Sequence, residues 1–322
     1  MSHLTYPTEL EITPLTKPPS ATVTVPGSKS ITNRALVLAA LASRNGPCVL
    51  DGALFSEDTE VMIDSLRRLG FSVAAEWPAN RIVVDRNTSG RIIPATEADL
   101  FVANSGTTMR FLTAMVSIGQ GRYRLDGIPR MRERPIRDLL NSLRQLGVDA
   151  ASETHNGCPP VVIDTHGWRT GSANSVDIRA GTSSQFLSGL LMAAAFVPET
   201  TFINTVDQRV SEPYIAMTMN MVGQWGLVVF DHGSHGFEVQ GLGTCPNVSS
   251  YDIEPDASAA SYFWAAAADG LRRGHVQRPP HGNEPGAGRP EGARRGGPQP
   301  RLRGEDVPGV LAGFGIAEGL KR

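Results

Sequence analysis

Four short polar clusters stand directly before apolar, Ala/Leu-rich stretches of this chain: Pro26-Gly27-Ser28-Lys29-Ser30, Asn104-Ser105-Gly106-Thr107-Thr108, Ala180-Gly181-Thr182-Ser183-Ser184-Gln185 and Glu254-Pro255-Asp256-Ala257-Ser258. Small hydroxyl, amide and carboxylate residues ahead of a helical pattern mark helix N-termini. There the unpaired backbone N–H groups and the positive end of the dipole favour anions. Lys29 falls just inside the first start, and Ser30 and Arg34, four apart, share a face one turn deeper. Two cations beside free N–H groups would hold a phosphate or a carboxylate. The segment is not a Walker loop, because G-x-x-x-x-G-K-[ST] needs a glycine that is missing from the required place before Gly27. Several such helix starts in one fold suggest a site for multiply charged small anions.

The elements that position these residues repeat. The clusters recur every 75–79 residues, and a second feature keeps step with them. Ser56-Glu57-Asp58-Thr59-Glu60 leads a helix ending Leu69-Gly70, Arg134-Pro135-Ile136 leads one ending Leu146-Gly147, and Glu212-Pro213-Tyr214 leads one ending Trp225-Gly226. Pro135 and Pro213 suit a first helical turn, and the three glycines suit the position just past a helix end. Two interleaved features with one period predict repeated α/β units, each with two helices and several short strands.

Composition narrows the class. With 322 residues, 40% hydrophobic and 19% charged, the chain is of globular type and long enough for two domains. No run of about 18 apolar residues suggests a membrane span. Met1–Pro7 has neither the basic start nor the apolar core of a signal peptide. Cys48, Cys158 and Cys245 are odd in number and scattered, so neither a disulfide framework nor a zinc knuckle is expected, and a reducing cytoplasm is the simplest compartment.

The net charge of −2 hides an asymmetry: residues 271–322 carry ten Lys/Arg against five Asp/Glu, with twelve Gly and seven Pro. That stretch lacks the apolar surface to offset its ordering entropy. It reads as a disordered basic tail able to bind RNA or an acidic partner, or as a change of reading frame near Ala268-Asp269; the frame change is the preferred reading, because the repeat stops at the same point.

Six segments together resemble one family. Val25 through Leu36 carries P-G-S-K-S-x-x-N-R-A, similar to the opening motif of the 5-enolpyruvylshikimate-3-phosphate synthases. Asn104–Arg110 resembles that family's N-A-G-T-x-x-R segment, and Pro129–Ile136 its R-M-x-x-R-P-I segment. Ser183–Leu187, Val210–Tyr214 and Pro255–Ala257 match three further segments, all in order. The resemblance stops near Asp269. It implies an α/β, inside-out two-domain fold of repeated βαβαββ units, helices inside and strands outside, with the second domain incomplete here. The expected division is 27–247 as a complete three-repeat domain, 1–26 plus 248–270 as a partial first domain, and 271–322 as the unmatched tail.

The resemblance implies transfer of the enolpyruvyl group of phosphoenolpyruvate to the 5-hydroxyl of shikimate 3-phosphate, with release of phosphate, in the shikimate pathway of aromatic amino-acid biosynthesis. Lys29 would touch both substrates, Ser30 and Arg34 the shikimate part, Gly106 and Arg130 the phosphoenolpyruvate. Ser183, Ser184 and Ser211 would hold the shikimate phosphate, Gln185 both ligands, and Asp256 would accept the hydroxyl proton, with Lys29 the other catalytic residue. Arg132 and Arg134 read as surface or inter-strand partners. No cofactor and no metal are implied, and the scattered His3, His155, His166 and His232 suggest no ligand cluster. A monomer without nucleic-acid or membrane partners is expected. Two departures stand out: Ser105 replaces the usual Ala, and Phe111 stands where many relatives carry Pro. The family's later K-E-x-x-R segment, with its proton-donating Glu, has no counterpart in these 322 residues, so impaired catalysis is expected. The rival readings are the related UDP-N-acetylglucosamine enolpyruvyl transferases, disfavoured by Ser30 and by the absence of a Cys between Cys48 and Cys158, and a non-catalytic anion-binding or RNA-associated protein.

Overall fold

The computed structural model describes residues 22–264. They fall into two units, Pro26–Pro255 and a second to which residues 22–25 and 256–264 belong. Of the second unit, residues 257–264 are helical. The tail reading at 271–322 lies outside the described residues.

Six helices and twelve strands build the unit Pro26–Pro255. In order they are α1 (Lys29–Ala42), β1 (Cys48–Asp51), α2 (Glu57–Arg68), β2 (Val73–Glu76), β3 (Arg81–Val84), β4 (Glu97–Phe101), α3 (Gly106–Val116), β5 (Gly121–Asp126), α4 (Arg137–Gln145), β6 (Asp149–Ser152), β7 (Val161–Thr165), β8 (Asn174–Ile178), α5 (Ser184–Ala194), β9 (Thr201–Thr205), α6 (Glu212–Gln224), β10 (Val229–Asp231), β11 (Phe237–Val239) and β12 (Ser250–Asp252). Three four-stranded sheets result: β4-β5-β7-β6, β8-β9-β11-β10 and β12-β1-β3-β2. Each begins with a parallel pair and continues antiparallel. Two sheets therefore enclose a βαβαββ repeat that is contiguous in sequence. The third takes its first strand, β12, from far along the chain.

The sequence dictates which helix goes inside. KSITNRALVLAALA, GTTMRFLTAMV and SQFLSGLLMAA have scarcely a polar face, and in α1, α3 and α5 nearly every residue is buried; a helix apolar all round has to lie within the core. α2 and α4 are amphipathic and bury one stripe. α3 packs closely on α5, where a Cβ at Gly189 would meet Ala114 Cβ and Arg110 O, each at 3.2 Å.

The expected helix ends occur as glycines in the left-handed region, Gly70 (φ 89°), Gly147 (φ 91°) and Gly226 (φ 76°). Pro213 lies in the first turn of α6. Pro135 does not lie in a helix: α4 starts at Arg137, and the preceding residues form a short 3-10 turn, Met131–Glu133, whose chain must extend before it can turn into α4. The expected boundary at 247 also moves. The compact unit runs to Pro255, because β12 pairs with β1 in register Val49–Ser250, Leu50–Tyr251, Asp51–Asp252.

Candidate active site

Three of the four polar clusters become starts of the buried helices, at Lys29, Gly106 and Ser184. Their first turns, with that of α6, surround a cavity of about 610 Å³. Lys29, Ser30, Arg34, Ser183, Ser184, Gln185 and Ser211 line it, so seven expected site residues converge. Arg110, Arg134, Thr107 and Tyr214 line it as well. The lining includes four cations and no carboxylate.

Arg34 is 2% exposed. Its Nε donates to Thr218 Oγ1 at 2.7 Å, Nη1 to Ser30 O at 2.9 Å, and Nη2 to Ser188 Oγ and Tyr214 O, each at 3.2 Å. The guanidinium also lies 5.1 Å from the Phe111 ring centroid, so the residue that replaces Pro supplies a face for the cation. Burial pulls the Arg34 pKa down to about 10. A buried cation held by neutral acceptors alone favours an anion beside it.

Arg110 has the same character. It is 7% exposed, donates through Nη1 to Gly106 O and to Gln185 Oε1 at 3.0 Å each, and leaves its buried Nε without a partner. Burial first, and the charge of Arg134 second, lower its pKa to about 10. Gln185 is fixed at both ends, since its Nε2 donates to Thr107 Oγ1 at 3.0 Å. Arg134 Nη1 donates to Asn104 O at 3.1 Å. Gly106 has a second role besides any approach of ligand to backbone: a Cβ there would lie 2.4 Å from Arg110 Nη1 and 2.5 Å from Arg134 Nη2.

Lys29 Nζ donates to Asp58 Oδ2 at 3.0 Å with both side chains part-exposed. Such a pair is worth about 0–1 kcal/mol, so a polyanion can compete for the ammonium. Ser183 caps α5 by accepting from Gln185 N at 3.3 Å, and Ser105 caps α3 by accepting from Thr108 N at 3.2 Å, a bond that the usual Ala cannot make. Ser211 precedes α6 in the left-handed region, φ 54°, with no cap bond to its credit. Backbone strain of this kind costs roughly 1–3 kcal/mol and is typical of sites.

Three expected residues stand apart. Arg130 is not among the lining residues; its guanidinium is 72% exposed and lies against Glu133. Gly106 backs the cavity through its two arginine neighbours. Asp256 belongs to the other unit, where its Oδ1 accepts from Ser258 N at 2.8 Å and caps the helix that follows. Arg132 pairs with Asp126 at 2.7 Å, as a surface partner should, whereas Arg134 turns into the cavity, because the left-handed Ala103 and the chain after β4 bring Asn104 O to it. Arg110 was detectable from sequence, as the one cation in the otherwise apolar GTTMRFLTAMV. Among the described residues no group of His, Cys, Asp or Glu is arranged to hold a metal, and no helix is long and apolar enough to cross a membrane.

The model of the family described as EPSP synthase (3-phosphoshikimate 1-carboxyvinyltransferase) matches residues 15–276. A 3-phosphoshikimate 1-carboxyvinyltransferase of Nostoc punctiforme is 42% identical over 259 residues, covering 80% of this chain and 59% of the relative. That of Opitutus terrae is 44% identical over 260 residues with the same coverage, and the chloroplastic one of Petunia hybrida is 40% identical over 271 residues, 81% of this chain and 51% of the relative. Among solved structures, an EPSP synthase from Acinetobacter baumannii superposes with TM-score 0.67 at 25% identity, over 80% of this chain and 55% of that one. The enolpyruvyl transferase NikO from Streptomyces tendae, at TM-score 0.57 and 16% identity, shares the fold. The chain thus spans little more than half the length of these relatives. With the ordered motifs, the enolpyruvyl transferase fold and this breadth of match together, the chain belongs to the EPSP synthase family.

Proposed function

We propose that the cavity binds shikimate 3-phosphate and phosphoenolpyruvate, and that the residues around it serve transfer of the enolpyruvyl group between them. The observation that supports this most is the lining of four cations without a carboxylate, at the first turns of four helices. Both substrates are polyanions, so bringing them together requires fixed positive charge and oriented N–H groups to offset their repulsion. The 5-hydroxyl gives up its proton and adds to C2 of phosphoenolpyruvate as C3 gains a proton; phosphate then leaves the tetrahedral intermediate as C3 loses a proton, which restores the double bond.

In this reading Arg34 and Ser30 hold the shikimate part, and Ser183, Ser184 and Ser211 its phosphate. Gln185, locked between Arg110 and Thr107, meets both substrates, as does Lys29 once released from Asp58. Gly106 and Arg130 serve phosphoenolpyruvate, the latter after leaving Glu133. Asp256 accepts the hydroxyl proton; one of its oxygens is engaged in capping, leaving the other for that task. No cofactor takes part, and the protein works as a monomer.

Titration calorimetry of the 322-residue chain with shikimate 3-phosphate tests the reading. Binding in the millimolar range that disappears in Arg34→Ala is expected, and absence of heat at millimolar ligand would sink it. Phosphate release from the two substrates is expected to be undetectable. The family's K-E-x-x-R group is missing from these residues, and losing oriented charges of that kind costs about 10²–10³-fold each. Steady turnover that Lys29→Ala removes would show that residues of the tail supply the missing groups.

A further inference from the structure

The buried helices have a second end. α1, α3 and α5 finish at Ala42, Val116 and Ala194. Arg44, Ile118 and Phe196, each two residues further, line another cavity of about 330 Å³. Helices of 11–14 residues rising ~1.5 Å per residue place it about 16–21 Å from the anion site. The two cavities share no lining residue.

The floor is apolar and buried, with Ile93 0%, Phe196 2%, Trp168 5% and Ile118 6% exposed. Trp168 is held in place by its Nε1, which donates to Ser117 Oγ at 2.9 Å. The rim carries two guanidinium groups, Arg44 and Arg91, with Gln120, His166 and Glu199. Glu199 Oε1 already accepts from Gly171 N at 3.0 Å. Among the described residues neither arginine has a carboxylate within ion-pair distance. The Nε of Arg44 is buried with no acceptor.

Three helix C-termini favour a cation here, which accounts for the charge of Arg44. They do not account for two arginines lining one cavity with no carboxylate paired to either among the described residues. An anionic group entering the cavity would pair with them, and the floor would receive an apolar body. A void of this size is at the lower end of small-molecule sites. We propose that this cavity is a second ligand site, for a small monocarboxylate with an aromatic or branched apolar body: the body lies on Trp168, Phe196 and Ile118, and the carboxylate meets Arg44, with Arg91 at the rim.

The test uses the 322-residue chain and 3-phenylpropionate, followed by calorimetry and tryptophan fluorescence, with 3-phenylpropanol as the uncharged comparator. The acid is expected to bind about tenfold or more tightly than the alcohol, the effect of one charge-assisted contact. Arg44→Met should remove that preference, Arg91→Met should weaken it, and Trp168→Phe should remove the fluorescence change while heat of binding remains. Inorganic phosphate should bind Arg44→Met as it binds the parent, which shows the variant folded, and should not displace the acid. Equal affinity for acid and alcohol, no binding of either, displacement by phosphate, or an Arg44→Met that binds like the parent would each overturn the proposal.

Discussion

A Cβ on Gly106 would lie 2.4 Å from Arg110 Nη1 and 2.7 Å from Arg134 Cζ, so two guanidinium groups converge where this residue has no side chain. Gly106 is the first residue of α3, where Ala is ordinarily favoured over Gly by about 1 kcal/mol. Gly106→Ala should therefore change the melting temperature little, since helix propensity offsets the crowding, yet displace both cations and lower affinity for inorganic phosphate about tenfold; calorimetry on the variant checks this. Arg110 tests the converse. It is a buried cation with an orphan N–H and a like-charged neighbour, which costs stability until an anion arrives. Arg110→Met should raise the melting temperature without ligand by about 2–4 °C, and phosphate should no longer stabilise the variant; a lower melting temperature would show that its bonds to Gly106 O and Gln185 outweigh the burial of charge. Lys29, Arg34 and Gln185 were legible in sequence because each lies within the first two turns after a polar cluster that marks a helix start. Arg134 was not, since its direction depends on Asn104, thirty residues away.

The helix ends show the same division between local and distant causes. Leu-Gly and Trp-Gly after amphipathic runs specify the left-handed cap through one residue's freedom, and Gly70, Gly147 and Gly226 all adopt it. Their surroundings, which the sequence does not show, set what each is worth. A Cβ at Gly226 would meet nothing within 4 Å, so Gly226→Ala should cost only the conformational strain, about 1–2 kcal/mol. At Gly70 it would lie 2.8 Å from Pro94 Cβ and 3.3 Å from Ala95 N, whose N–H donates to Leu69 O. Overpacking adds about 1–3 kcal/mol there, so urea midpoints should fall further for Gly70→Ala than for Gly226→Ala. Equal midpoints would mean that the chain around Pro94 yields freely. The sheets were less legible than the helices. Short strands such as β2 and β10 carry little alternation, and although each pairs with the strand that follows it, the hairpin so formed joins its sheet through a strand earlier in the chain.

The period of the sequence foretold repeated units, but not that one of them is completed by a strand from beyond the expected boundary. β12 closes the sheet of α1's repeat, and the chain around it also anchors the start of α1: Ile253 N donates to Asp51 O, Ser28 N to Glu254 O, and Gly27 bridges Pro255. The contact is close, since a Cβ on Gly27 would lie 3.3 Å from Ile253 Cγ2. Lys29 follows immediately, so the first turn that presents it to the anion cavity is held by residues more than 220 positions later. Ile253→Pro removes the donor to Asp51 O and has no N–H to restore it. It should destabilise the fold by on the order of 3 kcal/mol in urea titration and also weaken phosphate binding at least about tenfold, although Ile253 does not line the cavity. Gly70→Ala is the control, a comparable loss of stability at the end of α2 opposite to the first turn that carries Asp58, the partner of Lys29. If both variants lose affinity equally, weaker binding reports general loosening of the fold. If only Ile253→Pro does, closure of the third repeat by β12 is what sets Lys29 in place.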